Sequence, residues 1–337
     1  MSPVELVFGG GSFMNETDYG NLEGKREALS LLQVAGVTHI DSAKVYNDCE
    51  KFLGQLGAAK THSIDSKYSW AIQPGESTKE AIIASADKSL ELLQTDQIDV
   101  FYFHSPDHRV PLEEQIDAVN TLHQQGKIRR FGLANHSAQE VEALVHVAKE
   151  NNMIAPTVYE GQYSALARRA ETDLLPVLRK HGIEFRAFSP IAGGLLTKDA
   201  DHFEKIKTGR WDPNTMVGAL YRHMYNKPSM LEALKMWEAI SRETGIPKVE
   251  LAYRWVTNNS ALRGELGDKV IFGARNLEQL RETLGILKKG PLSEDVVERI
   301  EQVWELVKED APRQGYEKLF VEMKAKGAKL HNESSDY

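Results

Sequence analysis

The chain has 337 residues, a net charge of −8 and a hydrophobic content of 41%. This length can bury a large core, and the interspersed acids and bases form no basic face of the kind that binds nucleic acid. No apolar run is long enough to cross a membrane, and a single cysteine, Cys49, excludes an intramolecular disulfide and a thiolate zinc cluster. The start MSPVELVFGG lacks a signal-peptide pattern, so we expect a cytoplasmic protein.

Short β-branched runs alternate with segments of helical periodicity along the chain. The predicted strands are residues 4–10, 37–43, 61–68, 98–105, 127–135, 156–163, 182–189 and 268–274. One intervening helical segment, SAQEVEALVHVAKEN, begins with Ser137 and Glu140 spaced as a capping box. Eight such units predict an α/β fold, a single-domain (β/α)8 TIM barrel over residues 1–325. We further predict a long loop at 190–230 after strand seven, an extra C-terminal helix at 293–308, and a charged, flexible tail at 326–337.

A doubly wound dinucleotide-binding fold is the main structural alternative. Its support is FGGGSF at the end of the first strand, but Met14 stands where the fingerprint needs a third glycine. A polar segment, NETDYGNLEG, then follows in place of a helix. We therefore expect these glycines to let the backbone approach a ligand at the mouth of a barrel.

Polar side chains stand at the ends of three successive predicted strands. Asp41, Lys67 and His104 end strands two, three and four, and Tyr46 follows Asp41 by five residues. Functional groups of such barrels lie at the C-terminal ends of the strands, so these four are expected to converge. The Lys67 ammonium would lower the pKa of Tyr46, Asp41 would hold Lys67 charged, and a neutral His104 would orient a substrate oxygen. Each alone has a structural interpretation, but together they favour a proton-transfer site.

Two histidines in HSPDH lack a third ligand, so no metal is predicted.

The segment DSAKVYNDCEKFLG resembles the pattern of the aldo-keto reductase superfamily, with SIDSKYSW and VFYFHSPD similar to its lysine and histidine segments. LHQQGKIRRFGLANHSAQEV, PTVYEGQYSALAR and FSPIAGGLLT are similar to the aflatoxin-aldehyde reductase (succinic semialdehyde reductase) branch. The resemblance implies that Asp41, Tyr46, Lys67 and His104 form a catalytic tetrad. It implies NADPH-dependent reduction of an aldehyde or ketone, with the proton from Tyr46, and a homodimer as in related members.

The resemblance also implies that NADPH or NADP+ lies extended across the barrel mouth. Phe188 would stack on the nicotinamide and Asn135 would bond its carboxamide. Glu160 stands where the family has glutamine, with Gln162 two residues on, and a carboxylate cannot donate to the carboxamide oxygen.

Backbone N–H groups and helix N-termini favour phosphates. The further cofactor candidates are Ser189, Gly193, Gly194, Leu195, Arg210, Gly273, Ala274, Arg275, Gln279 and Arg281, among which Arg275 is expected to take the 2′-phosphate. The substrate-pocket candidates are Phe13, Met14, Trp211 and Arg222.

Two other functions stay open on the sequence. One is a cofactor-binding regulatory subunit of the same fold with little turnover. The other is a barrel enzyme of a different class, such as a metal-free isomerase or hydrolase. Robust turnover of a small-molecule carbonyl substrate would argue against the first, and nicotinamide binding would argue against the second.

Overall fold

The computed structural model describes residues 3–68, 75–205 and 209–313. In these residues eight parallel strands form a closed barrel in sequence order, and the last strand pairs with the first. The strands are β1 Glu5–Gly9, β2 His39–Asp41, β3 Ser63–Lys67, β4 Ile98–Phe103, β5 Ile128–Ala134, β6 Val158–Gln162, β7 Glu184–Phe188 and β8 Lys269–Phe272. Each predicted strand contains the observed one, so the TIM-barrel prediction is confirmed. The tail predicted at 326–337 lies outside the described residues.

Helices surround the barrel, and the longer ones bury one apolar face each. They are α1 Leu22–Val34, α2 Cys49–Gln55, α3 Lys79–Leu93, α4 Leu112–Gln124, α5 Ala138–Glu150, α6 Ala170–Asp173, α7 Leu175–His181, α8 Met216–Tyr225, α9 Pro228–Thr244, α10 Lys248–Arg254, α11 Leu277–Leu287 and α12 Glu294–Val307. Helix α12 is the predicted C-terminal helix. Its buried residues Val296, Ile300, Val303 and Val307 recur at helical spacing, which explains why this segment packs along one face. None of the described helices is both long and apolar enough to cross a membrane.

The long segment after β7 contains regular structure as well as loop. Short 3₁₀ turns occur at Ala192–Thr197 and Gly209–Trp211, and α8 follows them. The hydroxyl of Thr215 caps α8 by accepting from the backbone N–H of Gly218 at 3.0 Å. Sequence reasoning assigned this part to the loop, because its glycines, prolines and aromatic residues obscure the short helix.

The barrel interior holds an ion pair that joins opposite walls. Arg186 on β7 and Asp65 on β3 are both fully buried, and their side chains form a charge-assisted hydrogen bond. Arg186 Nε also donates to Glu184 at 2.7 Å, while the N–H of Val100 donates to Asp65 at 3.1 Å. Strands β3 and β7 are four apart in an eight-stranded ring, so these side chains meet only because the sheet closes.

The predicted capping box at the start of α5 is present. Ser137 Oγ accepts from the N–H of Glu140 at 3.3 Å, and the Glu140 carboxylate accepts from the N–H of Ser137 at 2.5 Å. We expect Ser137→Ala to lower the free energy of unfolding by about 1 kcal/mol, because one helix N–H loses its partner. Urea unfolding checks this, with Ser30→Ala on the exposed face of α1 as the control. Equal unfolding midpoints for the two variants would contradict the prediction.

Candidate active site

Four polar residues predicted from the strand ends lie together at the C-terminal end of the barrel. Asp41 and Lys67 are the last residues of β2 and β3, and His104 directly follows β4. Tyr46 lies in the turn between β2 and α2, where its N–H donates to the carbonyl of Ala43 at 2.9 Å. Parallel strands end on the same side of a barrel, and this places all four groups around one mouth.

The centre of this group is the fully buried ammonium of Lys67. It donates to the Asp41 carboxylate and to the carbonyl of Ser42, the latter at 3.0 Å. Glu160 on β6 brings a second carboxylate, with Oε2 3.1 Å from Lys67 Nζ. Burial alone would lower the pKa of Lys67, but the charges of Asp41 and Glu160 outweigh it and hold that pKa above its usual value. Lys67 therefore carries a permanent positive charge.

Tyr46 stands beside this charge. Lys67 Nζ lies 5.3 Å from the centre of the phenol ring, and the ring meets that of His104 edge-on at 6.2 Å between centroids. The densely packed surroundings raise the pKa of Tyr46, and the opposing pull of Lys67 does not cancel this effect. Lys67 lowers the pKa of Tyr46, as expected from the sequence. Burial raises the same pKa by more, so the net shift is upward. The phenol consequently stays protonated at neutral pH.

His104 is held as a neutral imidazole. Burial lowers its pKa well below the usual value, and the nearby Lys67 charge adds to that shift. Its backbone carbonyl accepts a hydrogen bond from Asn135 Nδ2 at 2.9 Å, which ties the end of β4 to the end of β5. A neutral imidazole at this place can donate to an oxygen of a ligand.

Asn135 carries an unsatisfied acceptor directly after β5. It adopts a left-handed conformation with φ of 60°, and its Oδ1 is buried with no hydrogen-bond partner among the described residues. Glu160, the neighbour of Ala134 in the sheet register, turns toward Lys67 and Asp41. Sequence reasoning did not anticipate this contact, because no spacing along the chain relates β6 to β3.

The end of β7 leads into a loop covered by aromatic rings. Phe188 and Ser189 are half-buried, and Leu195 is fully buried. A Cβ at Gly193, which has φ of 64°, would lie 2.1 Å from the ring of Tyr221, so only glycine fits beneath that ring. The next residue of the candidate pair, Gly194, has φ of 92° and open space around it.

Several predicted pocket residues hold this loop in place. Trp211 is buried, and its indole N–H donates to the carbonyl of Gly193 at 2.9 Å. Arg222 Nε donates to the carbonyl of Trp211 at 2.9 Å. The guanidinium of Arg210 lies 5.6 Å from the ring centre of Tyr221. Gln162 donates to the hydroxyl of Tyr225 at 2.5 Å. Through these contacts, Trp211 and helix α8 fix the position of the loop that contains Gly193 and Gly194.

The first turn after β8 is the predicted phosphate end. Gly273 and Arg275 are exposed, and the carbonyl of Ala274 accepts from the hydroxyl of Tyr19 at 2.9 Å. Gln279 Oε1 accepts from the N–H of Arg275 at 3.1 Å. Arg281 points instead to an ion pair with Glu27 on α1. Arg275 is therefore the better placed of the two arginines for an anionic ligand.

The two candidates at the end of β1 differ. Phe13 is fully buried, with its ring centre 5.3 Å from that of Phe8 and 5.1 Å from that of Tyr19, so it packs in the core. Met14 is half-buried, and a Cβ at Gly11 would lie 3.9 Å from both its sulfur and the Tyr46 ring. Met14 is thus the one that borders the site.

A buried lysine–carboxylate pair beside a protonated tyrosine and a neutral histidine, at the mouth of a parallel barrel, defines an enzyme site suited to proton transfer. Comparison with known proteins then identifies the class. The chain belongs to the aldo/keto reductase family, whose sequence profile it matches over residues 5–305.

Its relatives share most of its length. It is 39% identical to Oxidoreductase sirO of Leptosphaeria maculans over 91% of this chain and 95% of that protein. It is 40% identical to human Aldo-keto reductase family 7 member A3, covering 82% of this chain and 87% of the relative. It is 38% identical to human Aflatoxin B1 aldehyde reductase member 4, again over 82% and 87%. The predicted family is confirmed, and the chain is an oxidoreductase of the carbonyl-reducing type.

Proposed function

We propose that this protein reduces an aldehyde or ketone to an alcohol with NADPH, and that Tyr46 supplies the proton. The observation that carries the proposal is the buried Lys67–Asp41 pair beside Tyr46 and the neutral His104. The name of one relative, human Aflatoxin B1 aldehyde reductase member 4, supports an aldehyde as the substrate class. The homodimer implied by the resemblance stays a prediction.

NADPH, when bound, supplies the hydride. The protein's own groups supply placement and acidity. His104 would donate a hydrogen bond to the carbonyl oxygen and orient it, and Tyr46 would protonate that oxygen as negative charge develops. The fixed charge of Lys67 would stabilise the phenolate that remains on Tyr46, and Asp41 would keep the lysine charged and aimed.

The residues at the mouth fit a nicotinamide cofactor. The unsatisfied Oδ1 of Asn135 is an acceptor of the kind that a carboxamide NH₂ requires. The open backbone at Gly194 allows close approach of a pyrophosphate, and the exposed Arg275 at the start of α11 suits a further phosphate. Phe188, half-buried at the end of β7, suits ring stacking.

The proposal is tested by titrating the purified protein with NADPH and with NADH while following the fluorescence of its five tryptophans. Turnover of a probe such as 4-nitrobenzaldehyde is then measured with each cofactor. NADPH binding with multiple turnover is the expected result. Tight NADPH binding with no turnover of any aldehyde would favour the regulatory-subunit alternative, and failure of both cofactors to bind would overturn the proposal.

Arg275→Ala is expected to weaken NADPH binding roughly tenfold or more while leaving NADH binding unchanged, because only NADPH carries a 2′-phosphate for the guanidinium. The control is Arg263→Ala, an exposed arginine just before β8 and therefore at the other end of the barrel. The two dissociation constants are measured by the same fluorescence titration. Equal weakening of both cofactors would remove Arg275 from the 2′-phosphate role.

A further inference from the structure

Two carboxyl groups share the single ammonium of Lys67. Asp41 reaches it from the neighbouring strand β2, and Glu160 reaches it from β6, three strands away around the barrel. Both carboxyls are buried, with residue exposures of 3% for Asp41 and 5% for Glu160. One positive charge cannot fully compensate two buried negative charges, so one of the carboxyls must be easier to protonate.

Glu160 is the carboxyl that takes the proton. Burial, reinforced by the adjacent charge of Asp41, raises the pKa of Glu160 to about 8 against the opposing effect of Lys67. Asp41 has the stronger hold on the ammonium through its direct hydrogen bond. Because its pKa is raised toward neutrality, Glu160 is the carboxyl that we expect to change the charge of the cluster.

Titratable groups from several strands lie near Glu160. Lys67 and Asp41 lie beside it, and its charge adds to the upward shift that burial gives the pKa of the Tyr46, Tyr102 and Tyr159 phenols. Arg186, its register neighbour on β7, is occupied by its own carboxylate partners in the barrel interior. Tyr46 is thus the one group of the proposed reaction whose acidity responds to Glu160 as well as to Lys67.

We propose that Glu160 is a positioning residue that acts through Lys67: its carboxylate draws the ammonium's charge away from Tyr46, so that loss of the Glu160 proton makes Tyr46 a weaker acid. This inference rests on the proposed function of Tyr46. The direction follows from charge alone. At low pH Glu160 is neutral, so the positive charge of Lys67 acts on Asp41 and Tyr46 alone. At high pH the second negative charge, on Glu160, opposes formation of the Tyr46 phenolate.

The test is the pH profile of the turnover number for 4-nitrobenzaldehyde reduction. In the unmodified protein we expect a fall of roughly tenfold between about pH 7 and pH 9, because general acid catalysis weakens as the acid's pKa rises. Glu160→Gln keeps the shape of the side chain and removes its charge, so its profile is expected to be flat over this range. A merely structural role would change stability or the absolute rate and leave the shape of the profile unaltered.

The matched control is Glu250→Gln. Glu250 on α10 is buried like Glu160, but its carboxylate pairs with Arg254 at 2.9 Å and with Lys289 at 2.5 Å and not with Lys67. Its profile is expected to follow that of the unmodified protein. If Glu160→Gln and the unmodified protein give superimposable profiles, the proposal is overturned.

A second measurement keeps this proposal separate from the proposed function. The infrared band of a protonated carboxylic acid is followed against pH in the unmodified protein and in Glu160→Gln. A band that titrates near the pKa given above and is missing from the variant identifies Glu160 as the ionising group even if no aldehyde is reduced. Identical titrations in both proteins would overturn the assignment whatever the turnover.

Discussion

Tyr46→Phe is expected to lower the turnover number for carbonyl reduction by at least about a hundredfold, since general acid catalysis contributes on that scale. The variant loses only the hydroxyl. Its ring remains to pack edge-on against His104 and beside Lys67, so the shape of the mouth is preserved. Because the proposed cofactor contacts are made by other residues, NADPH is expected to bind nearly as tightly as before. The measurement is steady-state reduction of a small aldehyde, combined with fluorescence titration of NADPH.

Tyr253→Phe is the control for that experiment. Tyr253 is a buried tyrosine of α10 whose hydroxyl interacts with Thr283 on α11 rather than with the four residues around Lys67. It is expected to retain normal turnover. If Tyr46→Phe also retains it, then Tyr46 is not the acid, and the proton must come from another group or from water. If Tyr46→Phe fails to bind NADPH, the loss of turnover says nothing about acidity, which is why both quantities are measured.

Arg186→Met is expected to lower the free energy of unfolding by about 3–5 kcal/mol, the usual cost of removing one partner from a buried ion pair. Methionine fills similar space but leaves Asp65 with the N–H of Val100 as its remaining hydrogen-bond donor among the described residues. The unpaired carboxylate is fully buried inside the barrel, so its charge is poorly solvated. Urea unfolding followed by circular dichroism measures the effect.

The loss in this variant should depend on pH. Burial raises the pKa of Asp65 to about 7 even though Arg186 opposes that shift, and removing Arg186 raises it further. A carboxyl whose pKa is higher in the folded than in the unfolded protein stabilises the fold when protonated, and that stability is lost as pH rises through the folded value. Arg186→Met should therefore be more destabilised at pH 8 than at pH 6.

The matched control is Arg26→Met at an exposed ion pair. Arg26 and Glu23 are half or more exposed in α1, and such pairs contribute about 0–1 kcal/mol. Its unfolding midpoint should stay close to that of the unmodified protein. A similarly small effect for Arg186→Met, or an effect that does not vary with pH, would mean that the barrel interior accommodates an unpaired Asp65.

Local sequence patterns were enough to locate the eight strands of the fold. The alternation of short apolar runs with helical periods identified every strand, and the order of eight units limited the topology to a barrel. The capping box of Ser137 and Glu140 depends on residues three apart, so it could be read directly. The positions of Asp41, Lys67 and His104 also followed from local reasoning, because a strand end is a feature of one segment.

Contacts between distant strands required the closed sheet. Nothing in the spacing of Lys67 and Glu160 indicates that they meet, and the same holds for Asp65 and Arg186. These side chains come together because the pleat turns them inward and the barrel brings facing walls within reach of one another.

The pKa values of the site residues likewise depend on the tertiary structure. Reasoning from the sequence foresaw that Lys67 would lower the pKa of Tyr46, but the net shift is upward. A pairwise attraction can be anticipated from two residue types, whereas desolvation depends on everything packed around a group. The sequence by itself therefore determined that Asp41, Tyr46, Lys67 and His104 lie at the mouth. The tertiary structure decided how their charges are shared, because burial and long-range contact exist only once the barrel has closed.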